Sequence, residues 1–331
     1  MCTSIAFSAP YPLFGRNLDL QTPFGQQVVA TPRSFAFHFH RRPAMAHHLA
    51  MIGMATVAGG VPLYAEAMNE SGLYMAGLNF PGNAYYTPAE QAAPDAVAPY
   101  ELIPLVLGSC RTLKEARAML EGIDLLGIPF APGYPLAPLH WHIADRTGAL
   151  VLEVTAEGSR LYEDPVGVLT NNPPFPVQLA NLTGYQTLSA APPENRFAPG
   201  VPLTPYGQGM GAIGLPGDCS PMGRFVRAAF LKCNSVHAAG DDAVNQFFHI
   251  LDAVAMVRGS VITPEGKPDM TLYSCCADPA RGVYYFKTYD NSRIHAVSLL
   301  RAPLEANTLC CWPLPGGHGF EALNWTHPLS P

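Results

Sequence analysis

Strand-like segments in this chain follow one another without helices between them, and that restricts the fold more than any other feature. Runs at 1–7, 13–20, 26–31, 34–40, 49–57, 61–67 and 72–78 read as strands, with Pro10-Tyr11-Pro12 and Gly59-Gly60 as turns. The pattern returns at 139–144, 149–155, 159–163 and 166–170, where Asp145-Arg146-Thr147-Gly148 supplies good turn chemistry, and again at 270–276, 282–289 and 293–300. Helical patterns are confined to two pairs, 100–109 with 112–122 and 221–235 with 241–256, plus a short helix at 178–189. Thr112 with Glu115 forms a capping-box pattern at one helix start. A parallel sheet requires strands and helices to alternate; consecutive strands joined by short turns pair antiparallel. The expected fold is therefore α+β, with two antiparallel sheets packed together and helical layers outside. No repeat, low-complexity tract or linker divides the sequence, so residues 1–331 are expected to form one domain.

Charged residues make up 13% of the chain, about half the usual share, so it can build a large core under a sparsely charged surface. A net charge of -6 argues against a nucleic-acid partner, which would ask for a basic face. No run approaches the ~18 apolar residues of a membrane span. Residues 1–15 lack a basic n-region, and Pro10 and Pro12 break their apolar stretch, so no secretory signal is expected and the cytoplasm is the expected location. The eight cysteines include the adjacent pairs Cys275-Cys276 and Cys310-Cys311 and no CxxC, a spacing that suits small buried hydrophobes better than a disulfide framework. Pro81–Pro99 reads as a loop, and four prolines in 124–138 imply a long ordered loop there.

Cys2 is the residue with the most chemical content. A cysteine directly after the initiator methionine becomes the N-terminus when Met1 is removed, and one residue then carries a nucleophilic thiol and an α-amino base. A free α-amino group titrates near ~7.7–8.0, close to working pH. Met-Cys alone more often marks an ordinary strand residue. Arg16 and Asp19 fall on the strand expected to pair beside Cys2. There, a fixed cation would favour the thiolate and a carboxylate could hold the amine; a surface ion pair of little consequence has the same residue types. Asn79 and Asn171 sit at strand ends, where asparagine either caps a turn or donates to an oxyanion. Arg224 opens a helix and, taken alone, reads as a surface or helix-pairing residue.

Several short motifs shift that balance. Met1-Cys2-Thr3, Gly15-Arg16-Asn17-Leu18-Asp19, Ala76-Gly77-Leu78-Asn79-Phe80-Pro81, Leu139-His140-Trp141-His142, Val168-Leu169-Thr170-Asn171-Asn172-Pro173, Gly214-Leu215-Pro216-Gly217-Asp218, Gly223-Arg224-Phe225 and Ala255-Met256-Val257-Arg258-Gly259 occur in order along almost the whole length. In this the chain resembles the choloylglycine hydrolase family, which groups bile salt hydrolases and penicillin V acylases among the N-terminal-nucleophile hydrolases. The resemblance implies a four-layer αββα fold, no cofactor and no metal. It also implies a catalytic set of Cys2, Arg16, Asp19, Asn79 (through its backbone N–H), Asn171 (through its side chain) and Arg224. Asn172 is a neighbouring decoy; Asn171 matches the family position. The implied reaction is cleavage of the amide C–N bond of glycine- and taurine-conjugated bile salts. Penicillin V acylase or another N-acyl amidase is the alternative within the mechanism, and Asn rather than Tyr at position 79 resembles the bile salt branch. A non-catalytic small-molecule or metal-binding protein on the same fold is the alternative of another class. Relatives are often homotetramers, so the 124–138 loop is expected to reach a neighbouring subunit.

Leu18, Ile128, Phe130 and Leu136 are expected to line an acyl pocket, with Met54 and Tyr64 as further apolar candidates; such residues are more often plain core, and loop position favours the pocket only for Ile128, Phe130 and Leu136. His38, His40, His47 and His48 cluster in sequence, and His140 and His142 share a strand face, but no HExxH or CxxC accompanies them, so a metal site is not expected.

Overall fold

The computed structural model describes residues 1–236 and 238–318. In chain order the elements are β1 (Cys2–Phe7), β2 (Leu13–Leu20), β3 (Gln27–Thr31), β4 (Met51–Ala58), β5 (Val61–Asn69), β6 (Tyr74–Asn79), α1 (Leu102–Ser109), α2 (Leu113–Leu120), β7 (Leu139–Asp145), β8 (Gly148–Thr155), β9 (Gly158–Glu163) and β10 (Val168–Leu169). They continue with α3 (Phe175–Asn181), α4 (Pro221–Asn234), α5 (Gly240–Asp252), β11 (Val261–Ile262), β12 (Pro268–Asp278), β13 (Val283–Thr288), β14 (His295–Ser298) and β15 (Cys310–Pro313). One sheet of seven strands runs β10-β1-β2-β12-β13-β14, with β11 beside β12; the other, of eight, runs β15-β3-β4-β5-β6-β7-β8-β9. Every pairing between these strands is antiparallel.

The two sheets stack face to face, and each carries helices on its other face. Because side chains alternate along a strand, β1 and β2 divide their residues between these layers. Phe14 stacks on Tyr74 of β6 at 5.8 Å, between the sheets, whereas Phe7 meets Phe247 of α5 at 5.9 Å on the helical side. The inner core joins both sheets to α4 and α5. A second cluster, with Trp141, Ile143, Leu150 and Leu152, lies between the eight-stranded sheet and α1 and α2. The order helix–sheet–sheet–helix is the four-layer arrangement expected. Gly15 is fixed by close approach: a Cβ there would lie 1.9 Å from the Cys275 carbonyl oxygen, so β2 seats against β12 only with glycine at this point.

Thr112 caps α2 by accepting from Glu115 N at 3.2 Å, and the Glu115 carboxylate accepts in return from Arg111 N, one residue before the cap, at 2.6 Å. The 124–138 loop contains no helix or strand, but Leu125 and Leu126 are buried and bridge to Val97 and Thr87 in the other proline-rich loop.

Some expectations fail locally. Residues 34–40 are not a strand; a single bridge, Phe37 to Met45, forms there. Phe35, Phe37 and Phe39 have the period of a strand, yet they pack on one another, Phe35–Phe37 at 5.2 Å and Phe37–Phe39 at 6.4 Å, as a folded loop. The backbone N–H of His40 goes to the Glu101 carboxylate rather than to a sheet. Helix α3 begins at Phe175 instead of 178, because Pro173-Pro174 provides a natural helix start, and it runs into a 3-10 turn at Leu182–Tyr185. Strand β15 was not anticipated: it pairs with β3 across most of the sequence, and nothing local announces that partner.

Candidate active site

Cys2 opens β1 opposite Leu18 of β2, and its side chain is almost fully buried. Alternation puts Cys2, Ser4, Arg16 and Leu18 on the face toward the second sheet, and Thr3, Asn17 and Asp19 on the helical side. The hydrogen bonds agree: Arg16 reaches Gly77 O and Ala65 O in the second sheet, while Asn17 Nδ2 donates to Leu251 O in α5. Met1 precedes Cys2, and its α-ammonium donates to Asp19 O at 2.6 Å and lies 3.4 Å from Asp269 Oδ2.

Asn171 is the hub of the site. Its Oδ1 accepts from Cys2 N at 2.8 Å and from Arg224 Nη2 at 2.8 Å, and its Nδ2 donates to Asn79 O at 2.7 Å. With Oδ1 held by a guanidinium, the amide has one orientation, and Nδ2 keeps a second N–H beyond the one given to Asn79. Gln178 of α3 fixes this strand end by donating to Asn171 O and Pro173 O, and it accepts from Thr170 Oγ1 at 2.6 Å. Asn172 turns away and donates to Pro81 O.

Arg224 enters from the first turns of α4, which Ser220 caps by accepting from Gly223 N at 3.0 Å. The guanidinium donates to Cys2 O, to Thr3 Oγ1 at 2.6 Å and to Cys219 O at 3.1 Å. A cation near a helix N-terminus opposes the helix dipole. Burial pushes the pKa of Arg224 down, and the charges of Asp19 and Cys2 oppose that shift. Asp19 accepts from Thr271 Oγ1 at 2.6 Å; its other carboxylate oxygen, Oδ2, is buried without a hydrogen-bond partner among the described residues. Burial raises the pKa of Asp19, against the attraction of Arg224 and the chain terminus.

Arg16 is equally buried, between the sheets. Burial alone would lower its pKa, but Cys2, Tyr273, Glu66 and Tyr74 together hold it above the ordinary arginine value. Glu66, which sequence reasoning missed, faces it at 3.6 Å. Thus Cys2, Arg16, Asp19, Asn79, Asn171 and Arg224 are assembled around one point, with cations on both faces of the hairpin.

The apolar set is less coherent. Leu18 lies opposite Cys2, and Met54 is in the inner core. Tyr64 belongs to the outer cluster, where its hydroxyl meets Thr31 Oγ1 at 2.7 Å. Phe130 packs edge-on to Tyr100 at 5.3 Å and lines a cavity of about 180 Å³ with Phe37, Phe39 and Pro62, none of them part of the Cys2 cluster. Ile128 and Leu136 are half-buried on the same loop. The histidines have other work. His140 stacks on Phe80 at 4.3 Å between Glu153 and Thr170 O, and His142 lies between Ser4 Oγ and Asp164. His48 bridges Leu49 O and Phe35 O. Among the described residues no group of three or more His, Cys, Asp or Glu could hold a metal ion.

A buried thiol one residue from the chain terminus, set among two guanidinium groups and an oriented amide donor, is equipped to attack a carbonyl and to hold the resulting oxyanion. The sequence model for linear amide C–N hydrolases of the choloylglycine hydrolase family matches residues 2–312. The chain belongs to that family. It is a hydrolase of linear amide C–N bonds. A bile salt hydrolase/transferase of Lactiplantibacillus plantarum is 43% identical over 98% of this chain and 100% of its own length. One from Clostridium perfringens is 36% identical over 93% of this chain and 95% of its own. The crystal structure of a Cys-to-Ala variant of the conjugated bile acid hydrolase from Clostridium perfringens superposes with a TM-score of 0.86 at 33% identity, covering 98% of this chain and 100% of that one. A penicillin V acylase from Agrobacterium tumefaciens, at 18% identity, TM-score 0.73 and coverage of 93% and 90%, shares the fold of this choloylglycine hydrolase family member.

Proposed function

We propose that this chain hydrolyses the amide bond of glycine- and taurine-conjugated bile salts, with Cys2 as nucleophile after removal of Met1. The observation that carries the mechanism is the junction of Cys2, Asn171, Asn79 and Arg224. The bile salt hydrolases it resembles over nearly full length support the substrate. The thiol gives its proton to the α-amino group of Cys2, and Sγ forms a bond to the amide carbonyl carbon. The carbonyl oxygen becomes an oxyanion held by the remaining Asn171 Nδ2–H and the Asn79 backbone N–H. Collapse breaks the C–N bond; the amine leaves with the proton from the α-amino group, and a thioester remains. Water then gives a proton to the same amine, attacks the thioester and breaks the C–S bond, releasing the bile acid and restoring the thiol. Arg16 favours the thiolate, Asp19 orients the α-amino group, and Arg224 keeps the Asn171 amide from turning over. The residues required supply every proton and donor, so no cofactor enters the scheme.

The rigid steroid should supply most of the affinity, at roughly 25 cal/mol per Å² removed from water, and the charged tail less. Both conjugates should be cleaved with kcat/KM values within about tenfold, ~1.4 kcal/mol, of each other. Penicillin V, with a smaller acyl group, should be poorer. Leu18, Ile128, Phe130 and Leu136 remain the proposed pocket residues. Release of glycine or taurine from glycocholate and taurocholate, measured beside penicillin V in one preparation, tests this; faster turnover of penicillin V would place the chain with the acylases and leave the Cys2 chemistry intact.

A homotetramer and a cytoplasmic location complete the proposal. All eight cysteines are free thiols, which suits a reducing compartment. No helix among the described residues is long and apolar enough to cross a membrane. The 124–138 loop remains a proposed contact surface: Leu125 and Leu126 are buried within the subunit, but Tyr134 on the same loop is 39% exposed. The loop carrying Phe197 and Tyr206 is a second proposed surface, because those rings are 94% and 88% exposed. Light scattering at micromolar concentration should give four subunits, and a Phe197→Asp, Tyr206→Asp double variant a smaller species. A monomeric wild-type protein would refute the assembly.

A further inference from the structure

We propose that Glu66 is a positioning residue for the thiol site: it anchors the Arg16 guanidinium across the gap between the sheets, so that the unbonded part of the fork serves Cys2. The proposal rests on Cys2 being the nucleophile. Glu66 stands on β5 of the eight-stranded sheet, yet its carboxylate partners come from the other sheet. Tyr273 Oη donates to Oε2 at 2.7 Å, Tyr284 Oη donates to Oε1 at 2.6 Å, and Cys275 Sγ approaches Oε1 at 3.6 Å. The two phenols pin both oxygens, and Oε2 is presented to Arg16 Nη1 at 3.6 Å.

A guanidinium is planar and rigid, so fixing two of its nitrogens fixes the third. Arg16 Nε donates to Asn17 O at 3.4 Å, and Nη1 donates to Gly77 O at 2.5 Å and Ala65 O at 3.3 Å while facing Glu66. Nη2 is then buried with no hydrogen-bond partner among the described residues. Native proteins keep few buried donors of this kind, and a cationic one is especially costly to leave unmade. Cys2 shares the same face of the hairpin, and when ionised to the thiolate it is the strongest attraction acting on Arg16.

The ionisable groups facing the Glu66–Arg16 pair come from four strands: Cys2 on β1, Tyr74 on β6, Tyr273 and Cys275 on β12, and Tyr284 on β13. Burial pushes Tyr74, Tyr273, Tyr284 and Cys275 well above their ordinary values, so they stay neutral through an activity profile. Burial also raises the pKa of Glu66 itself, against the attraction of Arg16 and the phenol hydrogen bonds, so a pH effect of replacing Glu66 reports the loss of that carboxylate as felt by Arg16, Cys2 or the α-amino group.

The test uses processed full-length protein and follows alkylation of Cys2 by iodoacetamide against pH, located by peptide mass, beside kcat and KM on glycocholate and the melting temperature. Glu66→Gln keeps the shape but removes the charge and leaves one oxygen acceptor for Arg16 and the two tyrosines to share. Its alkylation midpoint should rise by about one pH unit, with kcat falling tenfold or more and KM within roughly twofold. Tyr273→Phe, which frees the oxygen facing Arg16, should shift the midpoint in the same direction by about half as much. An unchanged or lowered midpoint in folded Glu66→Gln overturns the proposal; should that variant fail to fold, an unchanged midpoint in Tyr273→Phe does so. A wild-type protein that alkylates at Cys2 but releases no amino acid from bile salts would refute the substrate assignment instead, and the alkylation profiles would still judge Glu66.

Discussion

Cys2→Ala should lose turnover by a factor on the order of 10⁶, the size of effect seen when a catalytic nucleophile is removed, while keeping the fold. The side chain is small and almost fully buried, so its truncation leaves a modest cavity that should cost on the order of 1 kcal/mol. The hydrogen bond from Cys2 N to Asn171 and the acceptance of Arg224 by Cys2 O belong to the backbone and survive the change. Cys2→Ser should retain the geometry but react far more slowly, because a hydroxyl at neutral pH is a much weaker nucleophile than a thiolate. Intact-protein mass spectrometry with substrate separates these cases: an acyl adduct should accumulate on neither variant. Turnover in Cys2→Ala within tenfold of wild type would remove Cys2 from the chemistry.

The second large effect concerns Met1. While Met1 is present, Cys2 N is a peptide nitrogen, and it spends its single N–H on Asn171 Oδ1. Such a nitrogen accepts no proton, so the thiol has no base and the leaving amine no acid. Loss of general acid–base catalysis is worth about 10²–10⁴ in rate, and chain retaining Met1, or extended at its N-terminus, should fall by at least that much. Processing transfers the cationic terminus from Met1 to Cys2 and leaves the Asp19 carbonyl oxygen free to accept from it. The rate and the intact mass should be measured on the same samples, made with and without methionine removal. Full activity in protein shown to retain Met1 would refute the α-amino mechanism.

How much of this was legible in the sequence depends on whether the signal was local. The β1–β2 hairpin is: two short apolar runs around Pro10-Tyr11-Pro12 leave few alternatives, and Arg16 and Asp19 follow Cys2 into place with it. Their separation onto opposite faces follows from period two and was readable, but it matters only once both neighbouring layers are known. Asn171 and Arg224 carry no local mark that separates them from a turn asparagine and a helix arginine; ordered motifs along the chain identified them. Glu66 had no signal at all, since its partners Arg16, Tyr273 and Tyr284 meet it only when the sheets stack. Residues 34–40 misled because alternating phenylalanines suit a strand and a folded aromatic loop equally, and the choice was made by packing rather than periodicity.

The contacts around Cys2 also set a timetable. Its amide nitrogen is held by a residue 169 positions away and its carbonyl oxygen by one 222 positions away. A ribosome building the chain from its N-terminus exposes the thiol first and Asn171 and Arg224 much later. Until α4 has emerged and docked, Cys2 is an ordinary cysteine at the end of an unfinished hairpin. Hydrolytic competence therefore arrives with tertiary closure, and a nascent or half-folded chain is chemically silent toward the amides around it.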